Sequence, residues 1–132
     1  MTTDNTRQVA DDDCPLALIA DDLDKEIRVY KDKLQNEFNI STVSATTLEE
    51  LYEKFDKFFD HIDVIILDGC IPGDVLNTID FIRYARERGY TKLIIAASSL
   101  PAYRTEMLIA GCDYESEKEY APKKAWELLT NA

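Results

Sequence analysis

Short apolar runs alternate with longer stretches of helical period along this chain, and few folds accommodate that alternation. The runs Leu16–Ala20, Val64–Leu67 and Leu93–Ala97 carry no polar side chain and are too short for buried helices, so they read as strands. Val64–Leu67 is continuous and largely β-branched, which suits a strand covered on both faces. Ile40–Ser44 reads as a half-covered edge strand, and a weaker fifth strand is expected over residues 113–117. Helices are expected over 23–38 (Ile27, Tyr30, Leu34 and Phe38 on one face), 47–59, 75–88 (Leu76, Ile79, Ile82 and Ala85 or Tyr84 inward), 101–110 and 122–129. Their punctuation agrees: Thr47 and Glu50 form a capping-box pair, Gly89 and Gly111 stand at helix stops, and Pro122 lies in a first turn. Five strands and five helices in strict alternation give a doubly wound parallel sheet.

With 132 residues, of which 45% are hydrophobic, there is material for one domain with one modest core. Residues 1–14 read as a mobile acidic arm, ending near Asp11–Asp13, and 15–132 as the folded domain. Fifteen basic against twenty-six acidic residues give a net charge of −11, which disfavours nucleic acid and anionic lipid and favours partners with basic patches. No apolar run spans a bilayer and the start lacks a secretory pattern, so a cytoplasmic location is expected. Cys14, Cys70 and Cys112, without a C-x-x-C spacing, read as reduced thiols, and His61 as a solvated loop residue.

The chemistry gathers where the strands end. Asp21 and Asp22, Asp68, Ser98 and Lys118 each sit just past an apolar run, so parallel strands would collect them at one carboxyl edge, where ligands of open α/β sheets bind. Asp68 precedes the turn Gly69-Cys-Ile-Pro-Gly73, which leaves its carboxylate free to attack phosphorus. Asp22, Asp68, the backbone carbonyl of Cys70 and waters, one held by Asp21, would supply the hard oxygens that magnesium requires. Unaided, each carboxylate would repel an incoming phosphate by about 4 kcal/mol per charge pair at ~4 Å and an effective dielectric near ~20. Magnesium and the Lys118 ammonium reverse that sign, and Ser98 adds a neutral donor able to turn toward a phosphoryl oxygen. Each residue has an ordinary alternative: Asp22 a helix cap, Asp68 and Ser98 turn residues, Lys118 a solvated surface lysine. Their coincidence at successive strand ends favours the joint site.

These motifs resemble the response-regulator receiver family. Leu18-Ile-Ala-Asp21-Asp22 resembles its acidic pair and Leu67-Asp68-Gly-Cys-Ile-Pro72-Gly73 its phosphoacceptor turn. Ile94-Ile-Ala-Ala-Ser98-Ser99 resembles its fourth-strand hydroxyl, and Ala110-Gly-Cys-Asp113 with Lys118 its lysine approach. The resemblance covers about residues 15–130 and implies a flavodoxin-like sheet of order 2-1-3-4-5 with five helices. It further implies phosphorylation at Asp68, magnesium at Asp21, Asp22 and Asp68, and phosphate contacts from Ser98 and Lys118. Two positions depart from the pattern. Glu119 follows the lysine where the family has a cis proline, and a non-proline cis bond costs about 3–4 kcal/mol, so a trans or reshaped loop is expected. Glu115 occupies the place of the family's switch aromatic, so signalling here is expected not to depend on an inward-turning Tyr114.

The resulting expectation is a phosphorylation-dependent signalling module without its own output domain. It would take its phosphoryl group from a sensor histidine kinase or histidine phosphotransfer protein and bind a downstream protein target or a second copy. The partner face would be the fourth helix, fifth strand and fifth helix, with Tyr103, Met107 and Tyr120 read either as contacts or as partial core, and Trp126 as a core or helix-face anchor. The alternative is a phosphorylation-independent interaction module. A phosphohydrolase is disfavoured, because Cys70 stands where such enzymes place a second aspartate, so any phosphoryl loss should be slow self-hydrolysis rather than turnover. Cys70 itself reads either as small filler beside the turn or as an oxidisable modulator of the site.

Overall fold

The computed structural model describes residues 14–131; all but the last residue of the acidic arm expected over 1–14 lie outside the described residues. The strands are β1 (Leu16–Ala20), β2 (Ser41–Ala45), β3 (Val64–Leu67), β4 (Leu93–Ala96) and β5 (Tyr114–Glu115). The helices are α1 (Asp24–Asp32), α2 (Leu48–Lys57), α3 (Ile79–Glu87), α4 (Pro101–Ala110) and α5 (Ala121–Thr130). All strand pairs are parallel, in the order β2-β1-β3-β4-β5. This is the flavodoxin-like arrangement expected from the sequence.

Strand periodicity divides the core in two. Leu18, Ala20, Ile65, Leu67, Ile94 and Ala96 point to the face covered by α2, α3 and α4. Ala17, Ile19, Val64, Ile66, Ile95 and Ala97 point to the face covered by α1 and α5. Every residue of β3 is fully buried, which explains why it lacks the polar alternation of an edge strand. Burying one such branched side chain contributes about 1.5–3 kcal/mol. On the first face, Tyr52, Phe55, Phe81 and Tyr84 pack edge to face, extended by Phe59 and Tyr90.

Three helices differ from expectation for local reasons. The helix expected over 23–38 forms, but its last part, Lys33–Glu37, winds as a π-helix before Asn39 turns at φ 58°. The helix expected from residue 75 begins only at Ile79. Asn77 instead clamps the preceding loop, its Oδ1 accepting from the Ile71 N–H at 2.8 Å and its Nδ2 donating to the Ile71 carbonyl at 2.7 Å. The later start makes Phe81, with Ile82 and Ala85, the buried face of α3. Before α5, residues Lys118–Tyr120 form a 3₁₀ turn that runs directly into the helix. Gly111 ends α4 at φ 137°, and a Cβ there would also lie 3.2 Å from Arg86.

The capping box at α2 is shifted by one residue. Thr47 Oγ1 accepts from the Glu50 N–H, but Glu50 reaches back to Thr46 rather than to Thr47. Of the two readings open for Met107, the core one holds: it is wholly buried against the β3–α3 turn and is not partner surface. Tyr103 is half-buried and donates to the Asp74 carbonyl at 3.0 Å, whereas Tyr120 is 59% exposed. Trp126 stacks on Phe38, with centroids 5.1 Å apart, joining α5 to the end of α1. No helix among the described residues is long and apolar enough to cross a membrane.

Candidate functional site

The parallel ladder runs one residue past the strand ends, and this positions the site. The Asp21 N–H donates to Ala45 O, the Asp68 N–H to Ala20 O, and the Ala97 N–H to Leu67 O, at 2.9–3.1 Å. Asp21 and Asp68 are thereby held side by side on the carboxyl edge, with Ser98 one residue beyond the row. Asp22 does not cap α1. The cap position is Leu23, without a side-chain cap, and Asp22 Oδ2 instead accepts from the Gly73 N–H at 3.2 Å across the site. It is Asp21 whose Oδ1 accepts from the Leu23 N–H, at 3.0 Å.

Residues that sequence reasoning did not single out complete the β3–α3 loop. Thr78 is fully buried and its hydroxyl lies 3.1 Å from the Asp68 carbonyl and 3.2 Å from that of Gly69, beside the Asn77 clamp. The legible signal was an Asn-Thr pair, favoured at caps and turns rather than inside a helix. Gly69 has no room for a side chain: a Cβ would stand 3.0 Å from Leu76 and 3.4 Å from both Met107 and Ser98.

Asp21, Asp22 and Asp68 each offer a carboxylate oxygen within 4.8 Å of the others. Lys118 Nζ reaches between two of them, 3.0 Å from Asp21 Oδ2 and 3.3 Å from Asp68 Oδ2. One ammonium does not balance this charge. Burial, and then the neighbouring Asp21 carboxylate, push Asp68 up to about 6, against the opposing pull of Lys118 and the Cys70 amide. Burial also raises Asp21 despite its Leu23 and Lys118 contacts. For Lys118 burial acts downward, but the two carboxylates outweigh it and hold the amine above its ordinary range.

Asp21 Oδ2 is buried in the same cluster, where the Lys118 ammonium is its charged neighbour. Three hard carboxylate oxygens within reach of one another, and negative charge that one ammonium leaves in surplus, together fit a small divalent cation. Asp22, Asp68, Cys70, Ser98 and Lys118 line one cavity of about 190 Å³, with space for several waters or a phosphoryl group. Ser98 is buried, and its Oγ accepts from the Leu100 N–H at 3.3 Å. All the residues expected at the site therefore meet in it. Among the described residues the cis peptide bond is Ile71–Pro72, and Lys118–Glu119 is trans as expected.

No family model matches the sequence, and no curated protein matches it either. Solved structures do. The chain is similar to the receiver domain of a Francisella response regulator, at 26% identity and TM-score 0.71, over 89% of this chain and 94% of that one. A CheY-like response-regulator receiver domain protein from Methanospirillum hungatei is similar at 19% identity and TM-score 0.74, over 89% and 92%. A chemotaxis response regulator of Vibrio cholerae is similar at 20% identity and TM-score 0.73, over 89% and 98%. The chain thus has the fold of a response-regulator receiver domain.

Proposed function

We propose that this chain is a phosphorylation-controlled signalling module whose phosphoacceptor is Asp68. The observation that supports it most is the meeting of Asp21, Asp22, Asp68 and Lys118 at the carboxyl edge of a receiver fold. An Asp68 carboxylate oxygen attacks phosphorus, the bond from phosphorus to the donor breaks, and its electron pair leaves with the donor. With its pKa pushed up to about 6, Asp68 is the ionised nucleophile at neutral pH and a better one than an ordinary carboxylate. Lys118 stands ready to pair with a phosphoryl oxygen, and the Ser98 hydroxyl, an acceptor in its contact with the Leu100 N–H, keeps its own O–H to donate to another. Held by Asp21, Asp22, Asp68 and the Cys70 carbonyl, magnesium would supply neutralisation of the charge on the transferring oxygens.

Turnover is not expected. Two residues past the nucleophile, Cys70, whose thiol burial pushes up, stands in place of a carboxylate that could act as acid and base in hydrolysis of the acyl phosphate. The donor in this reading is a sensor histidine kinase or histidine phosphotransfer protein, and the receiver of the signal a protein target or a second copy. Exposed Tyr120 remains a candidate contact on the α4–β5–α5 face. A constitutive interaction module is the rival reading, favoured by Glu115 standing on the outer strand where an aromatic was expected.

Intact-protein mass after incubation with magnesium and acetyl phosphate separates the two. The expected result is a gain of one phosphoryl group that disappears in Asp68→Asn and without magnesium. No gain, with no magnesium binding by titration, would leave the constitutive module.

A further inference from the structure

Arg104, on the first turns of α4, connects the site to the outer edge of the sheet. Its Nη1 donates to the Ser98 carbonyl at 2.8 Å and its Nε to Glu115 Oε1 at 2.9 Å. The side chain is only 12% exposed, whereas that of Glu115 is 46% exposed, so one guanidinium spans from the buried strand end to the surface strand β5. A planar fork with fixed donor directions suits this: moving one acceptor disturbs the alignment of the other.

The same residue, Ser98, carries both the hydroxyl that faces the cavity and the carbonyl that Arg104 holds. Its Oγ accepts a long contact from the Leu100 N–H, 3.3 Å, which leaves its own O–H free to donate to a phosphoryl oxygen on Asp68 and restrains the residue only weakly. The carbonyl is more firmly held. Any shift of the 98–99 backbone that brings the hydroxyl onto the phosphoryl group therefore acts against the Arg104 bond. Met107 locks the middle of α4 into the core, so the helix as a whole resists following, and the displacement falls on the guanidinium and its β5 partner.

We propose that Arg104 is a positioning residue that couples Ser98 to Glu115, transmitting occupancy of Asp68 to the β5 edge. Before phosphorylation it fixes the Ser98 backbone and β5 in one arrangement. When the 98–99 backbone shifts to bring the Ser98 hydroxyl onto the phosphoryl group, the Ser98 carbonyl moves away from Nη1, and the Arg104–Glu115 pair rearranges. The polar fork would thus do on this chain what an inward-turning aromatic is not placed to do. The coupling rests on Asp68 being the phosphoacceptor.

The test is a set of amide spectra of the full chain, recorded with and without magnesium and acetyl phosphate, with intact mass measured on the same samples. In the unsubstituted protein, phosphorylation is expected to shift the amide signals of Ser98 and Leu100, those of Tyr114–Ser116 and the Arg104 Nε–H. In Arg104→Gln the mass gain and the Ser98 and Leu100 shifts should persist, while the Tyr114–Ser116 shifts are lost. Glu115→Gln, altered at an exposed position, should likewise gain mass and reduce the β5 shifts, which guards against a folding defect in the first variant. Full-sized β5 shifts in both variants would overturn the coupling and leave the phosphoacceptor reading intact. Absence of mass gain in the unsubstituted protein would overturn that reading, and the coupling with it.

Discussion

Asp68 shows how a single side chain can trade stability for reactivity. The residue is 6% exposed, and burial, with the Asp21 carboxylate beside it, pushes its pKa up to about 6 from an ordinary 3.8. The folded state therefore holds this proton more tightly than the unfolded one. The associated stability is fully present below pH ~4 and is lost as pH rises through ~6, with Asp21 acting in the same direction. Asp68→Asn should flatten that decline in magnesium-free buffer, making the variant more stable than the parent at pH 7 by up to about 3 kcal/mol and no more stable near pH 4. Urea denaturation at several pH values would show it; equal parent and variant stability at pH 7 would mean Lys118 already balances the cluster.

At the scale of elements, the C-terminal end of α3 is tied to β4 and β5 by Arg86. Its guanidinium donates to the Gly111, Tyr90 and Lys92 carbonyls and to the Asp113 carboxylate, the last at 2.7 Å. Asp113 Oδ2 in turn accepts from the Ile94 N–H at the start of β4. These contacts hold the short β5 in register, because two paired residues contribute little by themselves. Arg86→Met should keep the aliphatic packing but strand several carbonyls, costing about 2–3 kcal/mol in urea unfolding. A loss below ~0.5 kcal/mol would place this network among ordinary surface pairs. Element existence was largely legible from periodicity and punctuation, whereas the start of α3 was not. Asn77 and Thr78 bond to loop carbonyls and amides that come close only once the β3–α3 turn has folded.

For the whole molecule, the net charge of −11 means that added salt of any kind relieves self-repulsion, so under the proposed reading magnesium would have both a general and a local effect. The local one can be isolated. Binding to the folded state alone should stabilise by roughly 1.4 kcal/mol per tenfold excess over the dissociation constant. Asp22→Asn, which removes a proposed ligand at a half-buried rim position rather than from the core, should abolish most of the magnesium-specific rise in melting temperature at matched ionic strength. An undiminished rise would mean that Asp22 is not a ligand.

Hydrophobic periodicity alone determined the alternation of strands and helices, and the polar residues closing each run marked the chemistry of one sheet edge. Those signals are local, because a strand buried on both faces or a carboxylate after its last residue is written in consecutive positions. Contacts between distant segments were decided only by the tertiary structure. Met107 stays open between partner surface and core until α4 turns it onto Gly69, and the cap alternative for Asp22 stays open until Gly73 approaches from fifty-one residues away. The Arg104 fork between Ser98 and Glu115 has no sequence signature either, since hydrogen-bond partners on three different elements become neighbours only when the sheet closes their separation.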